Sequence, residues 1–323
     1  MFAYIAKRIL QLIPVMFGIS VITFAMIYLI PGDPVRVMMG PHQDPEIAAT
    51  IKHELGLDKP VYVQYLTYMS RVCKGDFGKS YIKRRQVSEL LQGKFEATMI
   101  LTLSAMALAI LIGVTAGLIS AAKPNSISDY SLMVFAVVGI SMPVFWLGLM
   151  LQIAANNVNA AMATETARSV LPISGYFDDR LAWWQNLKFL ILPSLTLGTV
   201  PMAIIARMVR SSMLEVMNLE YIRTARAKGL SERVVVVKHA LKNALIPIIT
   251  VIGNNFAILL TGAVLTETVF SWPGMGRLMV DAIIQRDFPV VMGGVIVMSV
   301  VFVFVNLIVD IFYAWIDPRI RYE

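Results

Sequence analysis

The sequence predicts an all-α integral membrane protein with six transmembrane helices and both termini in the cytoplasm. Three observations predict it. The chain is 57% hydrophobic and only 15% charged, with a mean hydropathy of +0.70, whereas a soluble domain carries about 25% charged residues. Such a chain could not keep its surface wet in water. Six stretches without a charged residue run over 9–30, 97–122, 130–164, 189–206, 243–266 and 288–309, each near or above the ~20 residues that one crossing takes. The basic residues are also unevenly placed. With the N-terminus inside, the inside segments 1–8, 123–129, 207–242 and 310–323 hold 13 Lys and Arg, against 5 in the shorter outside loops 165–188 and 267–287. The long outside loop 31–96 holds 10, but loops of that length follow the positive-inside rule poorly.

The first span, in segment 1–30, is a retained helix and not a signal peptide. Lys7 and Arg8 precede it, yet its apolar run is longer than the roughly 7–15 residues of a signal core, and no small-residue cleavage site follows. Segment 31–96 is expected to be an ordered extracytoplasmic helical loop. Asp44 caps a helix with Pro45 in its first turn and Gly56 at its end. A second amphipathic helix starts at Pro60, with Val61, Tyr65, Met69 and Val72 as its stripe.

Segment 97–316 holds five helices and the cytoplasmic segment 207–242. Residues 317–323 form a cytoplasmic tail. The third span is longer than one crossing and ends in the polar "NNVNAAMAT". The fourth is the shortest and is expected to run on as helix beyond Arg207. Pro143 and Pro247 are expected to kink their helices. "TETVFSWPGMGRL", 266–278, reads as a tight outside turn, with Trp272 at the membrane interface and Pro273, Gly274 and Gly276 breaking helix. Among the few polar residues within or ending spans, Asn254, Asn255 and Glu267 are the pathway candidates. Interhelical hydrogen bonding for the asparagines, and a place at the water boundary for Glu267, are the plainer readings.

Several chemistries are excluded. "GDFGKS", 75–80, ends like a phosphate loop, but Cys73 stands where that loop needs its first glycine. His42, His53 and His239 are scattered and give no metal-ligand spacing. Neither a nucleophile elbow nor an HExxH occurs. No cofactor, metal or catalytic residue is expected. The net charge of +7 does not point to nucleic acid, because the densest basic residues sit in one loop between spans.

That loop carries the strongest local signal. "EYIRTARAKGLSERVVVVKHALKNALIP", 220–247, holds six cations against Glu220 and Glu232. The spacing predicts a short helix over Tyr221–Lys228. Gly229 is its left-handed stop, and Leu230 folds back on Ala225. Ser231 then caps a second helix that continues into the fifth span. Arg223, Arg226 and Lys228 project from the short helix. A basic loop touching anionic lipid would fit the cations alone; a rigid helix–Gly–helix corner better suits insertion into a protein groove.

The segment "YIRTARAKGLSERVVVVKHALKNALIP" resembles the cytoplasmic loop of permease subunits of binding-protein-dependent ABC importers, and more narrowly the dipeptide/oligopeptide group with its glutathione and nickel relatives. "YLIPGDPV" 28–35, "LGLDKPVYVQY" 55–65, "GDFGKS" 75–80, "ILPSLTLGTVP" 191–201, "ETVFSWPGMGRL" 267–278 and "DPRIRYE" 317–323 agree with it. The wider loop pattern is EAA, three residues, Gly, nine residues and I-x-L-P. Gly229 and Ala225 match it; Arg223 and Thr224 replace the Glu and first Ala, and Lys242 replaces the Pro, with Pro247 five residues on.

The resemblance implies type I importer architecture in the bacterial inner membrane and import of di- or oligopeptides or a related solute. It implies a second homologous permease, two ABC ATPase subunits that hydrolyse the ATP, and an extracytoplasmic solute-binding protein. It places Arg223, Ala225, Arg226, Lys228, Gly229 and Leu230 in the ATPase-docking corner. The competing classes are an ion-driven secondary carrier or channel, disfavoured by the absence of ionisable residues in the six stretches, and a membrane scaffold with a lipid-binding loop.

Overall fold

A computed structural model describes residues 2–29, 52–53, 58–80, 82–162, 171–177 and 182–316. The expected helix after Asp44, apart from residues 52–53, which are helical, and the tail 317–323 lie outside these residues. The described helices are α1 (Phe2–Leu29), α2 (Val61–Val72), α3 (Val87–Ala122), α4 (Ile127–Ser141), α5 (Val144–Ala161), α6 (Trp183–Met217), α7 (Glu220–Ala227), α8 (Glu232–Val234), a π-helical stretch Val235–Ala240, α9 (Leu241–Gly262), α10 (Val264–Val269), α11 (Met275–Gln285) and α12 (Phe288–Ile316).

Among the described residues, five helical runs are long and apolar enough to cross a bilayer: α1, α3, α6, the run Glu232–Leu260, and α12. The pair α4–α5, counted as one broken crossing, makes six; it bends by 109° at Met142–Pro143. This is far more than a kink. Met142 is extended, with ψ 132°, and Pro143 stands before the first turn of α5, where its missing N–H costs nothing. The helix of the fourth span runs on through Met213 to Met217, as its composition predicts, despite Pro193 and Pro201 inside it. Pro247 likewise lies inside the uninterrupted α9.

The chain packs as two compact units, Met1–Thr98 with Pro273–Leu307, and Met99–Trp272 with Ile308–Glu323; the boundary falls within α3 and within α12. In the first unit, Val87, Leu91, Met275, Leu278, Ala282, Val290 and Val291 form the core. Helix α2 lies against α1: Tyr65 packs edge-on to Phe24, and the Tyr65 hydroxyl shares a hydrogen bond with Ser20 Oγ at 2.7 Å. The expected stripe holds only in part. Val61 is 55% exposed and Gln64 takes the buried position, accepting from the Tyr28 hydroxyl. The "GDFGKS" segment is a turn. Gly75 and Gly78 have φ of 79° and 84°, and Ser80 is buried with its hydroxyl hydrogen-bonded to Asp287.

In the second unit α4, α5 and α9 pack on α6. Helices α3 and α6 approach closely because their facing positions lack side chains. A Cβ on Gly113 would lie 2.7 Å from the Met202 carbonyl oxygen, and one on Gly117 would lie 2.6 Å from that of Ala206. Ala105, Ala109, Gly113 and Gly117 recur every four residues along α3, the small-residue stripe by which membrane helices come into van der Waals contact. Trp272, expected at a membrane interface, is instead fully buried, with Tyr176 and Phe177 edge-on to it at centroid distances of 4.7 and 5.6 Å. Tyr176 and Phe177 of the loop residues 171–177 thus form part of an aromatic socket for the indole.

Candidate functional site

Only Asn218 and Leu219 separate α6 from α7, so the eight-residue helix is carried directly on the end of the longest span of the second unit. Helix α7 begins without a side-chain cap and ends at Lys228, whose N–H donates to the Thr224 carbonyl at 3.1 Å. Gly229 follows with φ 76°, the left-handed conformation predicted for it, and its N–H donates to the Arg226 carbonyl at 2.9 Å. A Cβ added at Gly229 would meet nothing within 4 Å. The demand for glycine here is therefore one of backbone conformation and not of space.

Ile222 and Ala225 share one face of α7 and are buried, as i, i+3 neighbours must be if that face packs. Helix α7 packs against the π-helical stretch, whose Val235 and Ala240 are fully buried. The rest of the surface of α7 is open and charged. Arg223 pairs with Glu220 at 2.8 Å and its side chain is 70% exposed. Arg226 forks onto Glu232 across the glycine turn, with Nη2–Oε1 at 2.7 Å and Nε–Oε2 at 3.2 Å. The Glu232 carboxylate raises the Arg226 guanidinium further above its ordinary value. Tyr221 accepts from Asn243 Nδ2 through its hydroxyl at 2.8 Å, which ties the first turn of α7 to the first turn of α9.

Two details differ from expectation. Ser231 stands at the N-cap of α8, but its side chain makes no cap hydrogen bond; the backbone carbonyl of Ser231 accepts from Val234 and Val235 instead. Leu230 is 40% exposed, so it adds an apolar rim beside the charged face instead of closing wholly over Ala225. Lys228 is exposed. The structure thus brings Arg223, Ala225, Arg226, Lys228, Gly229 and Leu230 together in one corner: a buried pair beneath, cations and an apolar rim on top. Such a surface can dock into a groove that offers acidic and apolar groups.

The pathway candidates are not gathered in this way. Asn254 is exposed on α9, and Asn255 is half-buried and donates to the Val251 carbonyl of its own helix at 2.8 Å. Glu267 is fully buried in α10, so neither an open pathway surface nor the water boundary describes its place in this chain. Gln152 bonds across elements, Nε2 donating to the carbonyls of Ile173 and Val269 at 3.0 and 3.1 Å, the structural use commonest for such residues.

One constellation escaped the sequence reading. Asp129, in the first turn of α4, is 1% exposed and receives a two-point hydrogen bond from Arg210 of α6, Nε–Oδ1 and Nη2–Oδ2 both at 2.7 Å. Ser120 of α3 donates to Oδ1, and the Asn125 N–H donates to Oδ2 at 2.9 Å. The carboxylate therefore joins the end of α3, the α3–α4 turn and α6. The signal was present: Asp129 is the only acidic residue between Glu96 and Glu165.

Comparison with known proteins gives this arrangement a context. Residues 113–322 match the family described as binding-protein-dependent transport system inner membrane component, and residues 1–102 match its N-terminal companion. The dipeptide transport system permease protein DppB of Alkalihalophilus pseudofirmus is 47% identical over 336 residues, covering 100% of both chains. The di/tripeptide transport system permease protein DppB of Pseudomonas aeruginosa is 45% identical and the glutathione transport system permease protein GsiC of Escherichia coli K12 is 42% identical, each again over 100% of both chains. Among solved structures, a chain of the inward-facing MetNI methionine ABC transporter superposes with a TM-score of 0.54 at 18% identity, covering 71% of this chain and 96% of that one. At that identity the likeness concerns the fold.

Proposed function

The chain belongs to the family of binding-protein-dependent transport system inner membrane components, and from that premise we propose that it forms, with a second permease, the path by which a di- or oligopeptide enters the cell. It is a permease subunit of an ATP-driven importer and a multi-pass protein of the cytoplasmic membrane. It is not itself an enzyme; hydrolysis belongs to partner ATPase subunits. An extracytoplasmic binding protein delivers the solute. The peptide class rests on the relatives of 42–47% identity, which are permeases for dipeptides, di/tripeptides and glutathione.

The observation that carries the mechanism is the corner at Gly229. A short helix held by Ile222 and Ala225, fixed by Asn243 through Tyr221 and set at the end of α6, is a rigid lever. In this reading the corner lies in the cytoplasm, which the distribution of Lys and Arg supports, with both termini on the same side. Arg223, Arg226, Lys228 and Leu230 enter a groove on an ATPase subunit. Closure of the ATPases on ATP moves α7, and α6 transmits that motion to the spans. ATP shifts this two-state equilibrium only by its different affinity for the two conformations. Asn254 shares an exposed face of α9 with Ile246 and Ile258, and that face borders the solute path.

The test is ATP-dependent uptake of a labelled dipeptide into proteoliposomes holding this chain with its companion permease, its ATPases and its binding protein. Gly229→Val places a β-branched side chain at φ 76°, a strain of about 1 kcal/mol or more. Insertion and assembly are expected to persist while uptake per ATP hydrolysed falls. Full uptake by Gly229→Val removes the corner from the mechanism. Uptake driven by an ion gradient without ATP removes the importer reading and restores the secondary carrier.

A further inference from the structure

We propose that the buried Asp129–Arg210 pair is a positioning clamp that locks the α3–α4 turn to α6, so that the turn and the stalk of the docking helix move as one body during transport. The inference rests on the proposed function above and extends it to residues that touch neither solute nor ATPase.

Five features of the site support it. The contact is a fork: both Asp129 oxygens are engaged by one guanidinium at 2.7 Å, which fixes orientation as well as distance. The Asp129 side chain is 1% exposed while that of Arg210 is 28% exposed, so the pair is screened far less than a surface pair. The carboxylate also takes the Ser120 hydroxyl and the Asn125 N–H. Asn125 itself is held at φ 58°, a conformation that an asparagine tolerates but does not seek. The same Asp129 has its own N–H bonded to Ser126 Oγ at 3.2 Å. The turn is thus over-determined around one carboxylate.

The position of Arg210 gives the clamp its purpose. Arg210 lies seven residues before the end of α6 at Met217, and α7 starts at Glu220. At about 1.5 Å per residue, the clamp sits roughly 10 Å up the stalk from the docking helix. Above it, α3 and α6 already touch backbone to backbone at Gly113 and Gly117. Glycine contacts alone allow two helices to slide along each other. A two-point ion pair at the end of that contact stops the sliding, so that a push on α7 reaches α3 and α4 instead of being lost as a local bend in α6.

Two measurements test this. In the assembled complex, with Cys73→Ser as background, spin labels at Lys123→Cys and Ser211→Cys, both exposed positions, report the distance between the turn and the stalk. The expected result is one narrow distribution that does not change between nucleotide-free and ATP-bound states, and a broadened, nucleotide-dependent one in Arg210→Gln. A wild-type distance that already shifts with ATP overturns the clamp, whatever solute the complex carries. In proteoliposomes, Arg210→Gln is expected to hydrolyse ATP at the wild-type basal rate within about twofold while uptake per ATP falls tenfold or more. Arg210→Lys, which keeps the charge but not the fork, is expected to fall between them. Variants that assemble poorly yet show unchanged uptake per ATP in the assembled fraction identify a mere structural brace and overturn the proposal. Wild-type complex without ATP-dependent uptake strikes the importer reading itself and leaves the spin-label result to judge the clamp.

Discussion

Among the described residues, the two compact units each bury one aspartate, and the two solve the problem of a buried carboxyl differently. Asp129 is 1% exposed and is met by a guanidinium, a hydroxyl and a backbone N–H. Asp287 is 2% exposed and is met by the Ser80 hydroxyl, with Lys83 near enough to act on its charge but forming no ion pair with it. Burial pushes the Asp287 carboxyl up from its ordinary value. Desolvation penalises both charges; only Asp129 has a full countercharge in contact. The comparison separates a carboxylate that the fold is built around from a carboxyl that the fold merely encloses, and the corner at Gly229 supplies a third case, ion pairs left in water.

The largest effect is expected at the first of these. Asp129→Ala leaves the Arg210 guanidinium half-buried without its partner and frees the α3–α4 turn. Breaking a buried pair in this way costs about 3–5 kcal/mol. Thermal unfolding of the purified complex in detergent is expected to fall by many degrees for Asp129→Ala, and by less for Asp129→Asn, which retains one acceptor oxygen, enough for Ser120 or the Asn125 N–H but not for both. Equal stability of all three proteins would place Asp129 with Asp287 and erase the contrast.

Asp287 is expected to behave in the opposite sense. Asn at 287 keeps an acceptor for Ser80 and removes the charge that burial disfavours. Asp287→Asn is therefore expected to be neutral or stabilising at pH 7, by about 1 kcal/mol. The pH dependence follows from the raised folded value. The folded state holds the proton more tightly than the unfolded chain, so the carboxyl favours folding most below the unfolded value near 3.9. That contribution is lost as pH rises from there through the folded value. The difference between wild type and Asp287→Asn should accordingly shrink on acidification. A gap that widens toward low pH would mean that Asp287 is a stabilised carboxylate like Asp129.

These contrasts also mark what the sequence disclosed. Charge-free runs of ~18 residues or more exposed the spans, because a helix needs about that apolar length to cross lipid. The stop at Gly229 was legible because a left-handed helix end has few chemical solutions. The 109° bend was legible at Pro143 as a position but not as a magnitude, since Pro193, Pro201 and Pro247 sit in helices that continue. The Asp129–Arg210 pair was hidden by distance: 81 residues separate its members, and periodicity reports only local neighbours. Trp272 was misplaced for a related reason. Its partners Tyr176 and Phe177 lie on a loop with no periodic signal, and an aromatic near the end of a span reads as an interface anchor unless its socket is known. The π-helical stretch Val235–Ala240 was not foreseen because "VVVVKHAL" fits an ordinary helix equally well.

The smallest effect is expected at the exposed corner, and it carries the sharpest separation of stability from function. Arg226 and Glu232 make a fork as short as that of Arg210 and Asp129, 2.7 Å at its closer contact, yet their side chains are 41% and 59% exposed. Water and salt screen such a pair, and holding two long side chains costs entropy, so its net worth is about 0–1 kcal/mol. Arg226→Ala is expected to leave the unfolding temperature of the complex within a degree or two of wild type, and added salt is expected to narrow even that gap. If Arg226 instead serves the docking groove, the same substitution should weaken retention of the ATPase subunits during washing, and more so as salt is raised. A variant that loses stability but keeps its ATPases would reverse the assignment: the exposed fork would then be a brace of the corner, as the buried fork is of the α3–α4 turn.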